Sequence, residues 1–141
     1  MKFLFADTAG WMACADAADV KHSAAISARD NWLEGGGYLV TTDYIIDETL
    51  TLLRFRLGLD AAEDWWHIIA ASARVRYERV DTERAERARA IFFRYRDKNF
   101  SFTDCTSFVL MHEMEIRDVL TTDRHFAEAG FRTMLKLSGR S

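Results

Sequence analysis

Short unbroken apolar runs alternate along this chain with longer stretches in which apolar residues return every three or four positions. The runs at residues 2–6 (KFLFA), 38–42 (YLVTT) and 119–122 (VLTT) lack the alternation of a half-buried strand. They suit strands buried on both faces of a parallel sheet. Residues 131–137 suggest a further strand, and the more polar residues 75–80 an edge strand or a loop. The stretches between read as helices. Residues 21–33 place Ala25, Ala28 and Trp32 on one side, and Ile46, Leu50, Leu53 and Leu57 mark the buried side of a helix after the second strand. Residues 60–73 open on Asp-Ala-Ala-Glu, the spacing of a capping box, and carry Trp65, Trp66, Ile68 and Ile69. Residues 82–96 show Ala85, Ala88, Phe92 and Tyr95 at helical spacing, with arginines opposite. Another helix begins near Ser101, and Gly35, Gly36 and Gly37 form the clearest turn. Strands alternating with helices predict an α/β three-layer fold with a mainly parallel central sheet.

Composition narrows the class. A chain of 141 residues, 49% of them hydrophobic, can bury one substantial core, so a single domain over residues 1–141 is expected. No apolar run approaches the ~20 residues of a membrane span, and MKFLFAD reaches an aspartate too soon for a signal peptide, which predicts a cytoplasmic protein. Cys14 and Cys105 are too few for a disulfide framework and read as small core residues. The net charge of -3 supplies no general attraction to nucleic acid, so phosphate binding must be local or supplied by metal.

Acidic residues carry the chemistry. Asp7 and Asp123 follow buried apolar runs, and Asp104 shares a helix face with Phe108 and Met111. On a wheel of about 100° per residue, Glu48 falls between Phe55 and Leu52, with Ile45 next, at the edge of the apolar arc, whereas Asp47 falls toward solvent beside Thr51 and Arg54. Glu48 is therefore expected to be enclosed. Each acid also has an ordinary structural role: Ser101-Phe-Thr-Asp104 matches a capping box, and an aspartate between strand and helix is a common N-cap. Placement of the set argues for more, since open α/β sheets form their binding crevice at the carboxyl ends of strands. An all-carboxylate donor set suits a hard divalent cation and hence phosphodiester chemistry.

The set Asp7, Glu48, Asp104 and Asp123, in the settings FLFADT, YIIDETLTLL, SFTDCTSFVLM and LTTDRHF, resembles the acidic quartet of PIN-domain ribonucleases, particularly the VapC-like toxins of toxin–antitoxin pairs. The resemblance spans nearly the whole chain. It implies a PIN-like fold, Mg²⁺ or Mn²⁺ held by the four acids, hydrolysis of RNA, a homodimer, and inhibition by a small antitoxin protein. It also implies that Thr8 and Thr122 orient the first aspartate.

Other readings are weaker. A catalytically silent RNA-binding or protein-interaction module on the same fold is the alternative function. A receiver-like or phosphatase-like domain would need an aspartate two residues after Asp7, which is absent, and a lysine partner near the end, for which there is no convincing candidate. His22, His67, His112 and His125 form no metalloprotease or nucleophile motif, and His125, close to Asp123, reads as a surface histidine. Arg54, Arg56, Arg74 and Arg76 read as solvated arginines. The helix bearing Trp65 and Trp66 holds more apolar surface than one small core covers, which also points to an interface.

Overall fold

A computed structural model describes residues 1–135. Its strands are β1 (Phe3–Ala6), β2 (Tyr38–Thr42), β3 (Val75–Glu78), β4 (Asp118–Leu120) and β5 (Arg132–Thr133). They form one sheet in the order β3-β2-β1-β4-β5, with every neighbouring pair parallel. The helices are α1 (Thr8–Ala15), α2 (His22–Glu34), α3 (Asp43–Leu57), α4 (Leu59–Ala71), α5 (Thr82–Arg94), α6 (Phe102–Glu113) and α7 (His125–Glu128). The chain steps outward from β1 to β3, returns past β1 to β4, and steps outward again to β5. Right-handed crossovers then place α1 to α4 on one face and α5 to α7 on the other, which makes three layers. Connections leave β1 and β4 in opposite directions, so a crevice opens between their carboxyl ends.

The expected strands are present, with residues 75–78 as the edge strand β3. The last is shorter than expected, and residues 136–137 of that expectation lie outside the described residues. Helix α1 has no amphipathic signature because Thr8, Gly10, Trp11, Met12, Ala13 and Cys14 are all buried. It packs so closely on β4 that a β-carbon at Gly10 would collide with the Leu120 carbonyl. Only glycine permits this approach.

Two local expectations are corrected. The Asp60-Ala-Ala-Glu63 box does not form: Gly58, at φ +102°, occupies the cap position, which moves Asp60 inside the first turn. Ile68 is 68% exposed, while Trp65 is buried edge-on to Trp11 at 5.6 Å. Leu57 lies in the last turn of α3, where Phe55, Arg56 and Leu59 around it are exposed as well, and is itself 40% exposed.

Around β1 and β4, the rings of Phe5, Phe108, Phe126 and Phe131 pack together with centroids 5.1–6.4 Å apart. A smaller cluster of Ala88, Cys105 and Val109 joins α5 to α6. Both cysteines are buried core residues, as the sequence suggests, and burial first, with Asp104 nearby, pushes the Cys105 thiol up to about 11.

Gly10→Ala should destabilise the fold by about 2–3 kcal/mol, the cost of overpacking against backbone that cannot move aside. Urea unfolding measures it. A Gly10→Ala protein as stable as the parent would show that α1 and β4 can separate freely.

Candidate active site

Asp7 leaves β1 and turns directly into α1. Its Oδ1 accepts the Gly10 N–H at 2.9 Å, the N-cap interaction expected at a strand-to-helix turn, and its Oδ2 accepts the Thr121 hydroxyl at 2.7 Å. Thr121, fully buried at the end of β4, also accepts the Asp123 N–H at 2.9 Å. One hydroxyl thereby ties the first aspartate to the loop carrying the last. Sequence reasoning singled out Thr122 for this role, and the structure corrects it by one residue. Thr122 is half-buried and makes no hydrogen bond to Asp7 among the described residues. Strand alternation carries the signal that finds Thr121, because adjacent residues on a strand face opposite ways.

Thr8 donates its hydroxyl to Glu48 Oε1 at 2.6 Å and accepts the Thr49 hydroxyl at 3.3 Å. This brings α3 against the start of α1 and carries Glu48 to the site. The expectation that Glu48 is enclosed is wrong. It is exposed, because its place at the rim of the apolar arc leaves it over the mouth of the crevice. Asp47 is exposed as well and does not line the crevice.

Asp104 combines the capping role with burial. Its Oδ2 accepts the Ser101 N–H at 3.0 Å, while its own N–H donates to the Ser101 hydroxyl at 2.9 Å, completing the box. The same Oδ2 meets His125 Nδ1 at 3.0 Å, and that nitrogen lies 3.3 Å from Asp123 Oδ1. His125 is thus half-buried between two carboxylates instead of lying on the surface. Its neighbourhood of Asp123 in sequence was visible; its contact with Asp104 depends on the fold. Asp104, Asp123 and His125 place one ligand atom each within 4.8 Å of one another.

Asp7, Glu48, Asp104, Asp123 and His125 line one cavity of about 410 Å³, with Asp19 and Arg56 at its margin. Arg74, by contrast, donates to the Leu33 and Gly37 carbonyls. That location is the amino end of β2, away from the site.

The cavity is electrostatically loaded. Burial raises the Asp7 carboxyl to about 7, against the lowering pull of the Gly10 and Thr121 hydrogen bonds and with added repulsion from Asp123 and Asp104. Burial likewise raises Asp104, opposed by the Ser101 N–H, and Asp123 raises it further. Carboxylates at such a spacing are stabilised by a proton or a cation between them.

Residues 6–132 match the family description of the PIN domain. The chain is 33% identical over 132 residues to the 23S rRNA-specific endonuclease VapC20 of Mycobacterium tuberculosis, in each of two strains, covering 91% of this chain and 95% of that protein. The crystal structure of Mycobacterium tuberculosis VapC20, described as a sarcin-ricin loop cleaving toxin, superposes with a TM-score of 0.83 at 32% identity, covering 91% of this chain and 95% of that one. The chain belongs to the PIN-domain family and, within it, to the VapC-like ribonuclease toxins.

The raised Asp7 pKa sets a pH dependence in metal-free protein. Between the ordinary aspartate value of about 4 and about 7, the folded state holds a proton that the unfolded state has released. Stability should therefore fall as pH rises through that window, by an amount on the order of a few kcal/mol, and level off above it. Asp7→Asn should lose this decline and melt higher than the parent at pH above about 7. Thermal melts in chelator read both, and a parent curve that rises across the window in the same way as the variant's would overturn the assignment.

Proposed function

We propose that this chain cleaves RNA phosphodiester bonds with Mg²⁺ or Mn²⁺ held by Asp7, Glu48, Asp104 and Asp123. The observation that carries the reading is convergence: four acids from the ends of two strands and from two helices line one cavity, and the two most buried have raised pKa values. The donor set fits a hard cation. Glu48 Oε2, Asp104 Oδ1 and Asp123 Oδ2 accept no hydrogen bond among the described residues, leaving each an oxygen to offer. His125 belongs to the same cluster, but imidazole is a poorer partner than carboxylate for Mg²⁺, and its Nδ1 is already engaged with Asp104 Oδ2.

When bound, such an ion makes water more acidic and neutralises charge on the phosphate. The protein supplies position. Gly10 and Thr121 fix both oxygens of Asp7, Thr8 fixes one oxygen of Glu48, and Ser101 with His125 fixes one of Asp104. Arg56 supplies positive charge at the cavity margin for a phosphate oxygen. A carboxylate restrained in this way loses little freedom in the transition state, which is how positioning lowers a barrier.

The substrate class follows the named relative, a 23S rRNA-specific endonuclease and sarcin-ricin loop cleaving toxin: a loop of ribosomal RNA, cut as a toxin in the cytoplasm and restrained by a small antitoxin. Among the described residues, no helix is long and apolar enough to cross a membrane. For partners, α3 and α4 enclose an apolar groove of about 490 Å³ bordered by Ile46, Leu50, Leu59 and Trp66. It suits a short amphipathic segment of an antitoxin, whose basic residue would reach the acidic cavity and compete with metal. The exposed Leu59 and Ile68 favour a homodimer over an isolated chain.

Asp7→Asn and Asp104→Asn should each lower RNA cleavage by at least ~10²-fold with circular dichroism unchanged, and chelator should abolish the parent's activity. Asp47→Asn should remain active. Cleavage that survives both site variants and chelator sinks the metal mechanism; an inactive Asp47→Asn with an active Glu48→Gln means that the neighbouring carboxylate is the ligand. Light scattering should report a dimer that Ile68→Asp weakens, and a monomer at every concentration would remove the homodimer from the reading.

A further inference from the structure

A second cavity, of about 630 Å³, lies between α5, α6 and α7, outside the acidic site. Its walls have a different chemistry. Tyr95 and Phe100 stand at 6.1 Å between ring centroids and 70° between planes, and Arg94 lies 5.7 Å over the Tyr95 ring. Lys98 completes a cationic rim. Two carboxylates also border the cavity, but both are engaged: Glu113 pairs with Arg84 and Arg87, and Glu128 with Arg124. Arg94 and Lys98 have no carboxylate partner among the described residues, so the groove carries unspent positive charge.

The groove neighbours the acidic cavity across Phe100. Phe100 sets its ring edge-on to His125, at 5.8 Å and 82°, and His125 binds Asp104 at 3.0 Å. Its chain neighbour Ser101 lines the acidic cavity. A strand of RNA crossing Phe100 would pass from a positive aromatic groove directly to the carboxylates.

We propose that this groove holds an unpaired nucleotide of the RNA substrate adjacent to the cleaved phosphate, its base stacked on Tyr95 and its phosphate held by Arg94 and Lys98. The volume falls in the range of sites that enclose one small ligand. Stacking on an aromatic face combined with backbone charge is how proteins take single-stranded bases, and it requires a base already out of a helix. The groove would thereby select looped or unpaired RNA over duplex. It also offsets the acidic cavity, which repels a phosphate chain unless cations fill it.

The proposal rests on the ribonuclease reading, and the test separates the two. Binding of a short fluorescein-labelled single-stranded RNA, and of the same strand annealed to its complement, is measured by anisotropy in an Asp104→Asn background so that bound RNA survives. Cleavage is measured in the otherwise unaltered chain. Tyr95→Ala should weaken single-strand binding about tenfold and leave duplex binding unchanged, while Tyr95→Phe restores it. Arg94→Ala with Lys98→Ala should weaken binding further and flatten its salt dependence. Arg89→Ala, of the same charge on another side of α5, should bind like the parent. If Tyr95→Ala and the double variant bind RNA like the parent while the unaltered chain cleaves it, the groove is off the RNA path and the proposal falls alone. A change of oligomeric state in those variants with RNA affinity intact makes the groove a protein contact and overturns it too. If the unaltered chain cuts no RNA under Mn²⁺, the ribonuclease reading fails first.

Discussion

The burial of Asp7 is the constraint around which the rest is arranged. A carboxylate with 5% of its surface exposed, at the floor of a crevice, is costly unless its oxygens are satisfied. The two groups that satisfy it come from different directions: the Gly10 amide from the helix that follows, and the Thr121 hydroxyl from a strand more than a hundred residues later. The first demands a helix that starts immediately after β1. The second demands that β4 lie beside β1, which the return of the chain past β1 achieves. Gly10 meets both demands, because its missing side chain lets α1 lie against the Leu120 carbonyl. Cap, close approach and strand order are one solution to the same cost.

Even so, the cost is only partly offset. The Asp7 carboxyl remains near 7 despite two good hydrogen bonds. Full satisfaction would have produced a low pKa and a structural aspartate with little reason to bind a cation. Residual strain of this sort is characteristic of sites where stability is given up for chemistry. Asp104 repeats the pattern. Its capping box would suffice for α6, yet the same oxygen that accepts from Ser101 also faces His125 and feels Asp123. The capping box therefore does not argue against the proposed ligation, since it orients Asp104 while leaving Oδ1 without a hydrogen bond among the described residues.

How much of this was legible in the sequence depends on the range of the interaction. Apolar runs located β1 and β2, and helical spacing located α2 to α6, because burial on one or both faces leaves a periodic trace. Helix α1 left none, being apolar all round, and α7 is a single short turn. The Asp7 and Asp104 caps were readable as local patterns. The bridge from Thr121 to Asp7 was not, nor was the bridge from His125 to Asp104, since each joins residues brought together only by the sheet. Glu48 shows the limit of a helical wheel. The wheel fixes an angle about the axis of α3, but whether that angle faces core or crevice depends on what lies opposite, and opposite lies Thr8 at an open mouth.

The distribution of charge follows from the same topology. Acids concentrate where connections diverge between β1 and β4, because strand ends and helix starts meet there. Arginines and aromatics concentrate on α5 and the turn after it, where α5 touches the protein mainly through α6 and leaves Phe92, Phe93 and Tyr95 exposed. A helix packed on the sheet itself would have buried these rings and could not have carried so many cations. Because α5 is held at one remove from the sheet, a chain of net charge -3 can present a positive aromatic surface beside a negative cavity. Polyanion binding then depends on the local arrangement of charge and not on its sum.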